Sequence, residues 1–131
     1  VQNIDFAETF LDIAGAKIPS DMQGRSIVPL LKGEHPTDWR RSIYYHYYEY
    51  PQPHHVPPQY GVRTDRFKLV RYYTINEWEL FDLKADPRER HNLFNDSGYQ
   101  VTKDHMLQLL EADREYYKDD TAPPVFGGPS R

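Results

Sequence analysis

The sequence predicts an α+β fold in which a four-stranded antiparallel sheet packs against a carboxy-terminal helix. Four runs rich in aromatic and β-branched residues indicate strands at 42–50, 60–64, 67–73 and 77–83. Short turns join the last three runs, a pattern typical of an antiparallel meander. The segment 99–118 instead carries apolar residues at helical spacing, so one helix is available to cover a face of the sheet.

The composition suggests a thin layer of structure that rests on something larger. The chain has 131 residues, which suffices for one domain or for one domain and a piece of another. Hydrophobic residues make up only 38% of it and its mean hydropathy is −0.85, low values for a chain that buries its own core. Aromatic residues, 15% of the chain, offset this shortage because each ring buries a large area.

Charge and cysteine content exclude several classes of function. The net charge of −4 argues against non-specific nucleic-acid binding. The absence of cysteine excludes disulfides, thiolate metal sites and a cysteine nucleophile from this sequence. No apolar stretch approaches the roughly 20 residues that span a membrane. The segment 54–73 is nevertheless basic, and it either holds an anionic ligand or forms a solvated strand face. Its single acidic residue is Asp65, and its basic residues are Arg63, Arg66, Lys68 and Arg71.

The amino-terminal residues predict a short helix at 4–14. Apolar residues recur there three and four positions apart, as on one face of a helix. Asp5 and Glu8 have the spacing of a capping box, and Gly15 suits the helix end.

An apolar segment and a boundary follow this helix. The segment 24–33 is too short to be a domain and is expected to pack on a partner surface. Pro36 breaks regular structure, which places the expected boundary at 35–40. Trp39 and Trp78 are expected to anchor a core or a domain interface.

The first predicted strand, 42–50, is half-apolar on both faces. Its alternate positions carry isoleucine and tyrosine on one side and tyrosine and histidine on the other. This pattern predicts an inner strand or a strand beside another domain. The next segment, 51–58, places four prolines around His54 and His55, which predicts a stiff, extended loop.

The carboxy-terminal part combines a turn, a helix and a tail. The turn begins at Asp86-Pro87, and we interpret the whole segment 82–93 as structural. The helix at 99–118 has Asp96 or Ser97 as candidate caps. The residues 121–131 predict an irregular tail. The buried stripe of the helix is expected to comprise Met106, Leu109, Leu110 and Tyr117.

These motifs occur together in an order that resembles the sulfatase family, the formylglycine-dependent, alkaline-phosphatase-like hydrolases. The segment 10–15 is followed by the Gly-Arg-Ser turn at 24–26, as at the end of the large sulfatase domain. The aromatic strand, the Gly-Val-Arg-Thr hairpin at 61–64 and the Asp-Pro-x-Glu-x-x-Asn-Leu turn at 86–93 then resemble the carboxy-terminal subdomain. Each motif alone is weak, but their order and spacing are specific.

The resemblance implies a division of the chain. Residues 1–40 would be the tail of the large α/β sulfatase domain, supplying the helix and the extended segment. Residues 41–120 would form the α+β subdomain, and 121–131 the irregular tail. Family members are often exported, which implies a periplasmic or secreted location.

The resemblance also implies that the chemistry lies upstream of this chain. Sulfatases convert the Cys or Ser of a Cys/Ser-x-Pro-x-Arg motif to formylglycine, and calcium with basic residues holds the sulfate oxygens. This sequence contains no such motif. We therefore expect no catalytic residue, metal ligand or cofactor here, with calcium and formylglycine in the upstream domain, and no activity from this fragment alone.

Substrate contacts are the remaining candidates for a site. A sulfate or a carboxylate could be bound by His54, by His55 and by Arg63, which follows Gly61 closely in the sequence. A sugar ring could stack on Tyr60 and Tyr48. Each has an ordinary alternative. The histidines would be an exposed pair, Arg63 a partner in a cross-strand salt bridge, and the tyrosines sheet residues packed under a helix.

The leading functional hypothesis is that the chain is the carboxy-terminal part of a sulfatase, an enzyme that hydrolyses sulfuric esters. The expected substrate is a sulfated carbohydrate, and this chain would supply one wall of the substrate pocket. The alternative is a non-catalytic module that binds carbohydrate or anions, or a scaffold that touches no substrate. The expected partners are the upstream sulfatase domain and a sulfated small molecule or glycan. We expect this chain to bind neither nucleic acid nor a membrane. Without that upstream domain, the helix at 4–14 and the segment 24–33 are expected to expose apolar surface and to dock on the sheet or on a second copy of the chain.

Overall fold

The computed structural model describes residues 1–51 and 54–122, which divide into two compact units. The first unit comprises residues 1–40, and the second begins at Arg41. Most of the predicted tail, 123–131, and two positions of the predicted proline-rich loop, 52 and 53, lie outside the described residues.

The first unit contains helix α1 (Asp5–Ile13) and the single-turn helix α2 (Val28–Leu31). Gly15, two residues beyond the end of α1, terminates the helix as predicted, with a left-handed φ of 66°. The amide of Gly15 donates to the carbonyl of Asp12, and that of Ala16 to the carbonyl of Leu11, which together form a Schellman motif.

The predicted capping box at the start of α1 is wrong. No side chain caps this helix. The Asp5 carboxylate is fully buried and instead accepts hydrogen bonds from both terminal nitrogens of Arg40, at 2.8 and 2.6 Å. It also accepts from the backbone amides of Gln2 and Arg25. A buried carboxylate needs such partners, so Asp5 organises the first unit and has no acceptor capacity left for a cap.

Helix α1 buries a polar face in the first unit. Asp5, Glu8 and Thr9 are buried. By contrast, Phe10 and Ile13 are each 67% exposed, and Phe6 on the same face is also exposed. Of the apolar positions that predicted the helix, Ala7, Phe10 and Ala14 are exposed and Leu11 is half-buried.

The second unit is built on the predicted four-stranded antiparallel sheet. Its strands are β1 (Ile43–Tyr47), β2 (Gln59–Arg63), β3 (Phe67–Tyr72) and β4 (Glu77–Asp82), in the spatial order β1-β2-β3-β4. Among the described residues β1 pairs only with β2, so it is an edge strand. Of the two alternatives, an inner strand is therefore wrong, because apolar residues on both faces do not require two neighbouring strands. The other alternative, a strand beside another domain, stays a prediction.

Helix α3 (Gln100–Tyr117) covers one face of the sheet, as predicted. Met106 and Leu110 of the helix pack on Val62, Leu69 and Leu80, and all five side chains are almost completely buried. A 3₁₀ turn, Ser97–Tyr99, precedes α3. The predicted cap residue Asp96 caps this turn, accepting a hydrogen bond from the Gly98 amide at 2.8 Å, whereas α3 itself begins without a side-chain cap.

The segment after β4 makes the contacts of a structural turn. The Asp86 carboxylate accepts hydrogen bonds from the amides of Arg90 and His91. The Asn92 side chain pairs with the backbone of β4, accepting from the Leu80 amide and donating to the Trp78 carbonyl. These bonds hold the connection between β4 and α3 against the edge of the sheet.

Candidate functional site

The two predicted histidines lie at one end of the sheet. The β1–β2 connection and the β3–β4 turn share this end, because Tyr47 pairs with Gln59 and Gln59 with Tyr72. His54 and His55 are both exposed. The amide of His55, whose φ is 53°, donates to the carbonyl of Pro51 at 3.2 Å. The loop therefore turns back locally and is not extended throughout, and it presents both imidazoles to solvent.

Arg63 lies at the opposite end of the same strand. It is exposed and ends β2, four residues beyond Gln59, a distance of about 13 Å along a strand. The structure therefore does not bring Arg63 together with the histidine loop. Its neighbours across the sheet are Ile43 and Lys68, which offer no negative charge. Within residues 1–51 and 54–122, accordingly, the alternative of a cross-strand salt bridge is not seen.

Tyr60 cannot stack on a sugar in this structure. Its side chain is 0% exposed beneath α3, and its hydroxyl accepts hydrogen bonds from Arg71 at 3.0 Å and Arg114 at 3.3 Å. Burial raises the pKa of Tyr60 although the two guanidinium groups oppose this shift. The expectation of a substrate-binding Tyr60 is corrected here, and the alternative of a tyrosine packed under a helix is the one observed.

Gly61 is also unavailable to a ligand. It is buried, and the ring of Tyr45 lies across it. A Cβ at this position would approach the Leu69 carbonyl oxygen to 2.5 Å and the Tyr45 hydroxyl to 2.6 Å. Glycine is required here because a neighbouring strand and ring come close, and not because the backbone approaches a bound ligand.

A buried polar cluster that the sequence did not predict lies at the same end of the sheet as the histidine loop. His46 of β1 and Asp119, just beyond α3, have side chains only 3% and 7% exposed. Their Nδ1 and Oδ2 atoms are 2.5 Å apart. The other imidazole nitrogen of His46 lies 3.2 Å from the hydroxyl of Tyr73. The Asp119 carboxylate also accepts hydrogen bonds from the hydroxyls of Tyr44 and Thr121.

The hydrogen bonds around Asp119 keep its carboxylate charged. Burial raises the pKa of this carboxyl, but hydrogen bonds from Thr121, Tyr44 and His46 outweigh burial and hold the pKa well below its usual range. Burial and the hydrogen bond to Asp119 raise the pKa of Tyr44. No sequence pattern links positions 46 and 119, which are 73 residues apart. The only available signal was a histidine on a strand face otherwise made of tyrosines.

The arrangement of these groups limits the chemistry of the chain. Within residues 1–51 and 54–122, no three His, Cys, Asp or Glu side chains converge to form a metal site. None of the helices described is long and apolar enough to cross a bilayer. The exposed groups at the loop end of the sheet can bind an anion or a sugar, whereas the buried cluster can position neighbouring rings.

Comparison with known proteins places the chain within a family. The model of the family described as N-sulphoglucosamine sulphohydrolase, C-terminal, matches residues 1–116. An N-acetylglucosamine-6-O-sulfatase of Bacteroides thetaiotaomicron is 51% identical over 121 residues, which are 90% of this chain and 22% of that protein. A delta 4,5-hexuronate-2-O-sulfatase of the same bacterium is 34% identical over 125 residues, which are 89% of this chain and 24% of that protein.

The fold is likewise shared with solved protein structures. A protein solved in complex with its substrate, D-glucosamine-2-N,6-O-disulfate, has a TM-score of 0.87 and 48% identity over 95% of this chain and 25% of that chain. This chain thus spans about a quarter of the length of the relatives that it matches. The family model covers most of the sequence and the resemblance to sulfatases is confirmed, so the chain belongs to the N-sulphoglucosamine sulphohydrolase C-terminal family, the carboxy-terminal region of sulfatases.

Proposed function

We propose that this chain is the carboxy-terminal part of a sulfatase that removes a sulfate ester from a sulfated glucosamine. The observation that carries this proposal is the 51% identity to an N-acetylglucosamine-6-O-sulfatase, against 34% to a hexuronate-2-O-sulfatase. The similarity to a structure that contains D-glucosamine-2-N,6-O-disulfate supports the same substrate class. A 6-O-sulfated glucosamine is therefore the first substrate to test.

In this proposal the chain supplies substrate contacts, and the upstream part of the protein supplies the chemistry. The Cys/Ser-x-Pro-x-Arg motif is absent from the sequence, and no metal site exists among the described residues. Formylglycine and calcium are accordingly assigned to the upstream domain. The role left for this chain is to recognise the sugar, its sulfate or a neighbouring carboxylate at the edge of the pocket.

His54 and His55 are the proposed contacts to the anionic groups of the substrate. Both are exposed on a loop whose backbone is held by the bond between His55 and Pro51. An imidazolium donates charge-assisted hydrogen bonds to sulfate or carboxylate oxygens. Arg63 stays a prediction of the same kind. Since it lies at the other end of β2, it would contact a different part of a ligand.

The test is steady-state kinetics of the full-length protein with N-acetylglucosamine-6-O-sulfate. The single variants His54→Ala, His55→Ala and Arg63→Ala each remove one proposed contact. Loss of a charge-assisted hydrogen bond predicts a fall in kcat/KM of about 10- to 100-fold for a histidine that touches the substrate. His105→Ala, which alters an exposed histidine on α3, is the matched control and should behave as wild type.

Two results would contradict the proposal at different levels. Unchanged kinetics in all three variants would remove the site assignment and leave the alternative of a scaffold that touches no substrate. A full-length protein that hydrolyses no sulfated glucosamine would remove the proposed substrate class. If that protein nevertheless bound the sulfated sugar without turnover, the non-catalytic binding module would replace the enzyme.

A further inference from the structure

Tyr48 is an exposed aromatic side chain that stacks on the buried imidazole of His46. It directly follows β1 and lies on the same strand face as Tyr44 and His46. Helix α3 ends at Tyr117, which stacks on Tyr44, so the helix does not extend over Tyr48. The ring of Tyr48 stacks on the His46 imidazole with centroids 3.9 Å apart and an interplanar angle of 28°. Tyr48 is nevertheless 61% exposed, so the imidazole covers one ring face and much of the remainder is open.

The His46 imidazole beneath this ring is itself held by three other side chains. Asp119 and Tyr73 bond the two nitrogens of His46. Tyr60 and Tyr73 pack edge-on against the imidazole, at 5.7 and 5.5 Å. An exposed ring that stacks on such a fixed group loses little conformational freedom when a ligand binds. This is the property that makes tyrosine effective in binding sites.

Three other aromatic side chains of this unit, those of Trp78, Phe94 and Tyr60, lack an open face. Trp78 and Phe94 stack on each other at 5.3 Å, and their outer faces are covered by Arg71 and Lys103. Tyr60 is buried. Tyr48, by contrast, is exposed and also begins the β1–β2 connection that carries the two exposed histidines.

We infer that Tyr48 is a stacking platform for a pyranose ring of the substrate, and that the His46–Asp119 pair beneath it positions the platform. The inference rests on the proposed function and adds a specificity residue to it. The C–H groups on one face of a pyranose can pack on the open face of Tyr48. The sulfate or carboxylate groups at the ring edge then face the adjoining loop. Tyr48 would thus recognise the sugar, whereas His54 and His55 would recognise its charge.

The experiment compares Tyr48→Leu with Tyr48→Phe in the full-length protein, using N-acetylglucosamine-6-O-sulfate. Leucine keeps an apolar side chain but removes the aromatic face, so KM should rise about tenfold while kcat changes less than twofold. Phenylalanine keeps the face, so its KM should stay within about threefold of wild type. Tyr116→Leu is the matched control, because Tyr116 is 70% exposed on α3, and its KM should not change.

The role of His46 is tested by a double-mutant cycle. His46→Phe keeps a ring beneath Tyr48 but removes both hydrogen bonds, so KM should rise. Combined with Tyr48→Leu it should raise KM no further than Tyr48→Leu alone. A merely structural histidine would lower the melting temperature without such coupling in KM. Independent, multiplicative effects of the two changes on KM would overturn the positioning role.

The remaining outcomes separate this inference from the proposed function. Wild-type turnover of the sulfated sugar with an unchanged KM in Tyr48→Leu would overturn the platform and leave the proposed function intact. A KM in Tyr48→Phe as high as that in Tyr48→Leu would also overturn it, since the hydroxyl would then be the contact. A wild-type protein that neither turns over nor binds the sugar would overturn both.

Discussion

Asp119 links the edge of the sheet to the end of the last helix. Its carboxylate accepts hydrogen bonds from Tyr44 and His46 of β1 and from Thr121 of the following segment. Arg114 of α3 donates to the backbone carbonyl of Asp119 at 3.0 Å, which fixes the same residue from the helix side. One side chain thus satisfies donors from two separate parts of the chain, so its loss should affect both.

We predict that Asp119→Asn lowers the free energy of unfolding by about 2 kcal/mol at pH 7, since charge-assisted hydrogen bonds to a buried acceptor are lost. The effect should depend on pH. The pKa of Asp119 is lower in the folded state than in the unfolded chain. Its stabilising contribution is therefore complete above the unfolded pKa of about 3.9 and declines as the pH falls toward the folded value.

Urea unfolding of both proteins at pH 7, 5 and 3.5 measures this difference. The gap in unfolding free energy between wild type and variant should be smaller at pH 3.5 than at pH 5. Asp120→Asn is the control, because Asp120 is adjacent and exposed. An equal loss of stability in both variants, or a gap that does not change with pH, would contradict the assigned role of the Asp119 carboxylate.

At the residue scale the sequence indicated which side chains share a face but not which face is covered. Alternation along β2 correctly separates Tyr60 from Gly61. It does not show that α3 lies over Tyr60, or that Tyr45 lies over Gly61. Those contacts are set by tertiary packing between distant segments. For the same reason His46 could not be paired with Asp119, whereas the exposure of His54 and His55 follows from their position in a proline-rich connection.

At the element scale most of the second unit could be predicted, because its signals are local. The turn at Asp65 and Arg66 and the run of residues 74–76 separate strands that pair with their sequence neighbours. The spacing of apolar residues in α3 is likewise a local property. The position of β1 at the edge was not predictable from its composition, since a run of tyrosines indicates partly buried faces and not the number of neighbouring strands.

Helix α1 is the element whose exposed surface predicts an interaction. Phe6, Phe10 and Ile13 are exposed and spaced four and three residues apart, so they share one face of the helix. We predict that a recombinant chain of residues 1–131 self-associates through this face, and that the double variant Phe10→Ser/Ile13→Ser is monomeric. In the full-length protein the upstream domain is the proposed partner of the same face.

Sedimentation velocity across a dilution series tests this prediction. The wild-type chain should dissociate as it is diluted, and the double variant should sediment as a monomer throughout. The variant Val101→Ser/Tyr116→Ser removes two exposed apolar side chains from α3 and serves as the control, with the association of wild type retained. A wild-type chain that is monomeric at every concentration would exclude self-association through α1.

At the scale of the whole molecule, the chain is about a quarter of each sulfatase that it matches. The substrate contacts are proposed for the second unit alone, the sequence lacks the nucleophile motif, and the described residues contain no cluster of metal-ligating side chains. Family membership could be recognised from short motifs because their order is specific. The chemistry could not be read from the same residues, since formylglycine and calcium are proposed to lie in the upstream domain.

The last prediction separates the contribution of this chain from that of the upstream domain. The chain of residues 1–131 should hydrolyse no N-acetylglucosamine-6-O-sulfate, and calcium should not raise its melting temperature, because a ligand stabilises only a protein that holds a site for it. The full-length protein should hydrolyse this substrate, and calcium should raise its melting temperature. EDTA should reverse that rise. Thermal unfolding and sulfate release, measured on both proteins with calcium and with EDTA, decide the matter. Calcium-dependent stabilisation or turnover by the short chain would show that it contains a functional site of its own.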